Sequence, residues 1–209
     1  TWSTTATTDI ININAVGVYT IDVTHTDVNG CSATSAPISV TVNALPATPI
    51  ITASGPTTFC FGNSVDLTSS YVGGNTWSNA ATTDAININA VGVYTIDVTQ
   101  TDANGCASTS APINVTVNAL PATPIITASG PTTFCFGNSV DLTSSYVGGN
   151  ACSTTATTDI INISAVGLYT IDVTHTDVNG CSATSAPISV TVNALPATPI
   201  ITASGPTTF

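Results

Sequence analysis

The chain repeats itself with a constant period, and this periodicity constrains its fold more than any other feature. The phrase NALPATPIITASGPTTF begins at Asn43, Asn118 and Asn193, so the period is 75 both times (118 − 43 and 193 − 118), without insertion or deletion. A fixed period of this kind indicates a tandem array of one structural unit. The period divides the chain into the C-terminal part of a repeat at 1–43, complete repeats at 44–118 and 119–193, and the N-terminal part of a further repeat at 194–209.

Both ends of the sequence fall inside a repeat. Relative to three full periods, the chain lacks one copy of the segment CFGNSVDLTSSYVGGN, which is present at 60–75 and 135–150. We expect either a piece of a longer array or a subunit whose incomplete ends meet those of identical subunits by strand addition. The predicted partners are therefore adjacent repeats of the same chain or identical subunits.

Each repeat has the pattern of short β-strands. Apolar and polar residues alternate in SVDLTSS, AININA, VYTIDVTQ and APINVTVN, and turn residues bound these runs. Alternation with a period of two predicts half-buried strands, six or seven per repeat, and no run has a helical period. The order Cys60, Trp77, Tyr94, Cys106 resembles that of an immunoglobulin domain, although the second cysteine follows the tyrosine by twelve residues rather than two. The predicted fold is all-β, with tandem immunoglobulin-like β-sandwich repeats that follow the period of 75.

Two cysteines recur in each repeat. A unit as short as one period has a marginal core, and a disulfide that closes a loop within it stabilises it by roughly 2–4 kcal/mol. Free buried thiols are the alternative. The prediction is two disulfides, Cys60–Cys106 and Cys135–Cys181, and two cysteines without a partner within this sequence, Cys31 and Cys152. Regular pairing of this kind indicates an oxidising, extracellular location.

The charge composition excludes two classes of partner. The chain has no Lys or Arg, and its eleven acidic residues, all Asp, give a net charge of −11. Without cations it cannot neutralise the phosphates of a nucleic acid or bind an anionic membrane surface by charge. No apolar run approaches the roughly 20 residues of a membrane-spanning helix. We therefore expect neither nucleic acid nor membrane as a partner.

No residue constellation indicates catalysis or a cofactor. His25 and His175 occupy a position held by Gln100 in the middle copy, and we expect them to be exposed strand-end residues. No serine has the sequence context of a nucleophile elbow. The TDxNG motif, for example Asp102 and Asn104, resembles the start of a calcium loop, but Asn-Gly is also a turn signal and the chain has no Glu. The sequence predicts no catalytic, metal or cofactor-binding residue, and no enzyme.

Cys152 departs from the repeat, because it stands where the other copies have Trp2 and Trp77. Truncating a buried Trp costs roughly 3–5 kcal/mol unless neighbouring side chains fill the space. The spare thiol could instead form a crosslink between chains. The sequence leaves both interpretations open.

The phrases CFGNSVDLTSS, TWSNAATTDAININAVGVYTIDVTQTDANGC and SAPINVTVN resemble the tandem immunoglobulin-like or PKD-like repeats of large secreted surface adhesins of Bacteroidota. The resemblance covers essentially the whole chain. It implies secretion, a cell-surface location, a role as stalk or fibre, and no catalytic residues.

Two functions follow as hypotheses. The near-identity of residues 1–59 and 151–209, which differ at four positions, favours structure and multivalency over chemistry. We therefore expect a structural component of a thin extracellular fibre or adhesin stalk. The alternative is a repeated carbohydrate- or ice-binding module that presents outward Thr and Asn rows, with surface glycans as partners.

Overall fold

Every regular element in the described part of the chain is a β-strand. The computed structural model describes residues 1–205 and 208, and no helix occurs among them. Segment 1–43 contributes β1 (Gly17–Ile21), β2 (Thr24–Thr26), β3 (Ser32–Thr34) and β4 (Ile38–Val42). The first complete repeat contributes β5 (Ile51–Ala53), β6 (Thr58–Cys60), β7 (Val65–Ser69), β8 (Asn75–Trp77), β9 (Ala85–Ile88), β10 (Gly92–Ile96), β11 (Val98–Thr101), β12 (Ala107–Thr109) and β13 (Ile113–Asn118). The second contributes β14 (Ile126–Ala128), β15 (Thr133–Cys135), β16 (Val140–Ser144), β17 (Asn150–Cys152), β18 (Ile160–Ile163), β19 (Gly167–Ile171), β20 (Val173–Thr176), β21 (Ser182–Thr184) and β22 (Ile188–Asn193).

The strands follow the sequence period. Each strand from β14 to β22 begins and ends one full period after its counterpart in the first complete repeat. Of the last segment, 194–209, residues 206, 207 and 209 lie outside the described residues. The equal spacing follows from the alternation of apolar and polar residues, which recurs almost unchanged in each copy and sets the same face of each strand towards the core.

The chain divides into two compact units. The first consists of Thr1–Thr57, Ser64–Ile88 and Val93–Val115, and the second of Thr58–Asn63, Asn89–Gly92 and Thr116–Phe209. The first unit contains the pairs β1–β4 and β2–β3 and the three-stranded ladders β5–β7–β9 and β12–β11–β8. The second unit contains all strands of the second complete repeat, together with β6, which pairs in parallel with Thr116–Asn118 of β13.

The second complete repeat is an immunoglobulin-like sandwich. One layer is the antiparallel ladder β14–β16–β18, and the other contains the ladders β15–β22–β19 and β17–β20–β21. Only Asp172 separates β19 from β20, and only 185–187 separate β21 from β22. Two long extended segments, 167–176 and 182–193, therefore run antiparallel through the whole second layer. Counted this way the repeat has seven strands in two layers, which confirms the predicted all-β, immunoglobulin-like fold.

The core of this sandwich lies between its two layers. Its buried members come from β16 and β18 on one side and from β19 and β22 on the other; they are Val140, Leu142, Ile163, Ile171, Val190 and Val192. Each is less than a tenth exposed, and burying a side chain of this size stabilises the fold by about 1.5–3 kcal/mol. In the first complete repeat the apolar residues of two alternating runs are buried as well, Val65 and Leu67 in SVDLTSS and Val115 and Val117 in APINVTVN.

A polar cluster closes one side of the sandwich. The Asn150 side chain is 5% exposed, and its Nδ2 donates to the Tyr146 carbonyl at 2.8 Å and to Asp159 Oδ1 at 2.9 Å. The same carboxylate oxygen accepts the Gly148 amide at 2.8 Å, and Ser144 Oγ donates to Asn150 Oδ1 at 3.2 Å. These bonds satisfy the buried amide of Asn150 and hold the loop that connects β16 to β17.

Replacing Asn150 by Ala should therefore destabilise the second sandwich. The change removes three hydrogen bonds and leaves the Asp159 carboxylate short of a donor, so we expect a loss of about 2–3 kcal/mol in the free energy of unfolding. Urea denaturation followed by circular dichroism measures it. The exposed Asn179 of the same repeat is the matched control, and Asn179→Ala should change the stability by less than about 0.5 kcal/mol. Equal effects of the two substitutions would contradict the role of the cluster.

Candidate functional site

The candidate site is a disulfide bond between successive repeats. Cys60 of the first complete repeat is bonded to Cys181 of the second, with 5.5 Å between their Cα atoms. The two residues are 121 positions apart, and both belong to the second compact unit. The bond therefore joins two copies of the repeat instead of closing a loop within one.

The predicted pairs Cys60–Cys106 and Cys135–Cys181 are wrong, because Cys106 and Cys135 carry free thiols. The geometry of the second repeat explains why. Cys135 aligns with Asn193 at the end of β22, whereas Cys181 precedes β21 at the other end of the same extended segment. Twelve residues of strand span roughly 40 Å, and a disulfide requires Cα atoms within about 7 Å. The two cysteines of one repeat thus lie at opposite ends of its sandwich.

A signal in the sequence pointed to this arrangement. The cysteine that follows the TDxNG turn comes twelve residues after the strand tyrosine, rather than two as in antibody domains. That offset moves the thiol out of the layer and onto the loop at the end of the hairpin. A cysteine there cannot cross between the two layers of its own sandwich.

The first cysteine of the bond lies at the end of a short strand. Cys60 is the last residue of β6, and its neighbour Phe61 donates its amide to the Asn118 carbonyl at 2.8 Å. The chain then turns at Gly62, whose φ of 101° lies in a region that side chains disfavour. We call Cys60 and its counterpart Cys135 the strand cysteines.

The second cysteine of the bond follows the TDxNG turn. Asp177 Oδ1 accepts the amides of Asn179 and Cys181, each at 2.9 Å, and the Asp177 amide donates to the Cys181 carbonyl at 2.9 Å. The carboxylate thus serves the backbone of its own loop, which confirms the hairpin-turn interpretation of this motif. We call Cys181 and its counterparts, Cys31 and Cys106, the turn cysteines.

Four cysteines are free. Cys31 and Cys135 are exposed, whereas Cys106 and Cys152 are partly buried. Cys31 and Cys152 were expected to lack a partner within this sequence, and both thiols are free in the structure. The bonded Cys181 is fully buried, so the turn cysteine loses its exposure where it is paired.

Cys152 lies at the position of a core tryptophan. In the first complete repeat, Trp77 is 1% exposed and its Nε1 donates to the Thr83 carbonyl at 2.7 Å. In the second repeat a small cavity is lined by Cys152 together with apolar side chains that include Leu142, Ile171 and Val173. Burial raises the pKa of the Cys152 thiol, and the negative charge of Asp172 raises it further. The Cys152 thiol therefore stays protonated at neutral pH. The cavity shows that the side chains around Cys152 fill only part of the space that the indole would occupy.

The histidine position is less exposed than expected. His25 is exposed, as predicted, but the ring of His175 stacks on Tyr146 at 3.8 Å between centroids, and Gln100 is buried. The physical reason is register, because His175 faces Asn150 across the ladder beside the loop that carries Tyr146. The expectation of an exposed strand end is therefore wrong for His175.

Among residues 1–205 and 208, no group of three or more His, Cys, Asp or Glu side chains is arranged to hold a metal ion. Within the same residues there is no helix long and apolar enough to cross a membrane.

The chain has limited similarity to known sequences. No protein family model matches it. Internalin I of Listeria monocytogenes serotype 4b (strain F2365) is 28% identical over 226 residues, which cover 99% of this chain. Internalin I of serovar 1/2a (strain ATCC BAA-679 / EGD-e) is 28% identical over 223 residues. The chain spans only 12% of the length of these relatives. The Bacteroidota type suggested by the sequence stays a prediction.

Two solved structures superpose on part of this chain. The fibronectin(III)-like modules of Clostridium thermocellum CbhA superpose with a TM-score of 0.34 at 15% identity, over 69% of this chain and 94% of theirs. The D1–D4 ectodomain fragment of ICAM-5 superposes with a TM-score of 0.46 at 14% identity, over 84% of this chain and 56% of that fragment.

Restoring the tryptophan at position 152 should stabilise the second sandwich. The indole of Cys152→Trp would take the position that Trp77 has one repeat earlier, but the cavity of ≈ 10 Å³ is smaller than an indole and neighbouring side chains must move apart. We therefore expect a gain of about 1–2 kcal/mol in the free energy of unfolding, less than the roughly 3–5 kcal/mol of a Trp→Ala truncation. Urea denaturation followed by tryptophan fluorescence measures it and reports on the new residue directly. Cys152→Ser is the control and should give no gain. A Cys152→Trp protein no more stable than the wild type would show that the cavity has closed by local repacking.

Proposed function

We propose that the chain is a segment of an extracellular structural stalk of an adhesin-like surface protein, in which disulfide-joined β-sandwich repeats carry tension. The observation that carries this proposal is the Cys60–Cys181 bond, which connects one copy of the repeat to the next. Disulfides persist in oxidising surroundings, and this supports a location outside the cell. The chain is proposed to act as structure and not as an enzyme.

The disulfide shortens the path along which tension travels. A force applied to the two ends of the chain passes from Cys60 to Cys181 through the S–S bond, and it bypasses the backbone of residues 61–180. The bypassed part contains β7 to β13 of the first complete repeat and β14 to β20 of the second. Strands β7 to β20 cannot be extended as long as the bond is intact, so the oxidised chain resists extension.

Strand order adds resistance of a second kind. In the second repeat the early strand β15 pairs in parallel with the last strand β22, along Thr133–Cys135 and Thr191–Asn193. This pairing bears the load once the disulfide is reduced, because β15 lies within the bypassed residues 61–180. Because the strands are parallel, pulling the ends of the repeat apart then shears all of these hydrogen bonds at once instead of opening them one at a time. The same pairing occurs between β6 and β13.

The proline-containing connection is held by the sandwich that follows it. Pro124 is fully buried, and Tyr146 Oη donates to the Ala122 carbonyl at 3.1 Å. In the previous repeat Tyr71 Oη donates in the same way to the Ala47 carbonyl at 3.0 Å. A connection that is tied to its own sandwich and contains prolines has few conformations available, which suits a stalk.

Reduction should lengthen the chain under tension. If the full chain is held by its two ends in a force spectroscopy experiment, reduction of the Cys60–Cys181 bond should release the loop of 121 positions and add about 400 Å of extension, because each residue spans at most ~3.3–3.6 Å. Without reductant, residues 61–180 should not extend at any force that leaves the bond intact, whereas β21 and β22 lie outside this loop and bear the load.

Two variants control this experiment. Cys60→Ser should show the long extension with or without reductant, and Cys152→Ser should behave as the wild type. An oxidised wild-type chain that extends as far as the reduced one would overturn the proposed path of tension and, with it, the stalk.

A second candidate function rests on the hydroxyl ladder of the β20–β21 hairpin. Thr174 and Thr184 face each other with 2.7 Å between their hydroxyl oxygens, and Thr176 and Ser182 with 2.8 Å. Equivalent pairs join β2 to β3. Such repeated hydroxyl rows favour a glycan- or ice-binding face. Retention of the wild-type chain on a polysaccharide matrix or on ice, and its loss in a Thr174→Val/Thr184→Val variant, would support binding; no retention on any matrix would exclude it.

A further inference from the structure

The Cys60–Cys181 bond, which we call the disulfide junction, joins a strand cysteine to a turn cysteine, and the chain contains further copies of both kinds of cysteine. The junction consists of a strand cysteine, Cys60, and a turn cysteine, Cys181. A second strand cysteine, Cys135, is free and exposed. Of the turn cysteines, Cys31 is free and exposed, and Cys106 is free and partly buried.

The free strand half has the same geometry as the bonded one. Cys135 ends β15 opposite Asn193, as Cys60 ends β6 opposite Asn118. The residue that follows each cysteine, Phe136 or Phe61, donates its amide to that asparagine carbonyl at 2.8 Å. The backbone that presents the Cys60 thiol to a turn is therefore already formed around Cys135, without a bond to hold it.

The free turn that matches best is that of Cys31. Its segment HTDVNGCSAT, residues 25–34, is identical to residues 175–184 around the bonded Cys181, whereas residues 100–109 around Cys106 differ at four positions. The Asp27 carboxylate accepts the amides of Asn29 and Cys31 at 2.9 and 2.8 Å, as Asp177 does in the bonded turn. The turn around Cys31 thus has the hydrogen bonds of the turn around Cys181. Its thiol is exposed, whereas the bonded Cys181 is buried.

We propose that Cys135 of one chain forms a disulfide with Cys31 of a second copy of this chain, which repeats the Cys60–Cys181 junction between chains. The two thiols lose two protons and two electrons as the S–S bond forms. A small-molecule disulfide accepts both and leaves as two thiols, by two successive exchanges through a mixed disulfide. Each chain has one Cys135 and one Cys31, so the links are heterologous and head-to-tail.

This inference deepens the proposed function, because it names the partner of the stalk segment as another copy of itself, and it rests on that function only for the oxidising location. The two tests are separable. The force experiment depends on the bond within one chain, whereas the linking experiment depends on thiols that are free in that chain.

The first test needs no substitution. The single chain has a mass of 20.9 kDa. Incubated with oxidised and reduced glutathione, the full chain should form species at multiples of that mass on a denaturing gel without reductant, and these should return to the mass of the single chain when reductant is added. A wild-type protein that remains a single chain under these conditions would overturn the proposal.

The second test separates the two halves. One variant, Cys31→Ser/Cys106→Ser/Cys152→Ser, keeps only the strand half, and another, Cys106→Ser/Cys135→Ser/Cys152→Ser, keeps only the turn half of Cys31. Each alone should keep the mass of the single chain, and their mixture should shift to twice that mass and no further. An unchanged far-ultraviolet circular dichroism spectrum of each variant shows that the fold is retained.

A matched control tests the choice of turn. Cys31→Ser/Cys135→Ser/Cys152→Ser keeps only Cys106, and it should link to the strand-half variant less than the Cys31 variant does. Equal or greater linking through Cys106 would overturn the assignment to Cys31. Dimers of the strand-half variant with itself would equally overturn the proposal, because they would show unspecific thiol oxidation.

Discussion

The antiparallel pairing of the two long segments 167–176 and 182–193 is the interaction on which the rest of the structure depends. It contributes Ile171, Val190 and Val192 to the core, and it carries the TDxNG turn at its far end. Because the pairing is extended along its whole length, it also sets the distance between the two cysteines of a repeat. A shorter or more strongly bent hairpin would bring them together and close a loop within one sandwich.

Because the two cysteines of a repeat are far apart, the disulfide connects two repeats instead of stabilising one. Small extracellular domains commonly use a disulfide to compensate for a small core. Here the cysteines are at opposite ends of the sandwich, so the bond between Cys60 and Cys181 joins copies of the repeat. The stability of the single sandwich must then come from its apolar core and from polar clusters such as that of Asn150. This division suits a chain whose proposed role is to resist extension.

Near-identical copies do not have identical cores. Trp77 fills its sandwich and donates a hydrogen bond, whereas Cys152 leaves a small cavity at the same place. The strand bounds nevertheless correspond in both copies, displaced by one period of the repeat. The rest of the core, with Leu67 in one copy and Leu142 in the other, is sufficient to maintain the fold, so a single large-to-small change lowers stability without altering topology.

The sequence by itself determined the features that depend on local properties. These properties are the alternation of apolar and polar residues, the turn residues and the constant period. The sequence predicted the all-β sandwich, the inward side of strands such as Val65–Ser69, and the Asp-Asn-Gly hairpin turn. The tertiary structure alone decided which thiols meet. Disulfide pairing, like the stacking of His175 on Tyr146, depends on which ends of the strands face each other in space. A sequence pattern of period two specifies the face of a strand on which a residue lies. It does not specify which ends of different strands come together at one end of the sandwich.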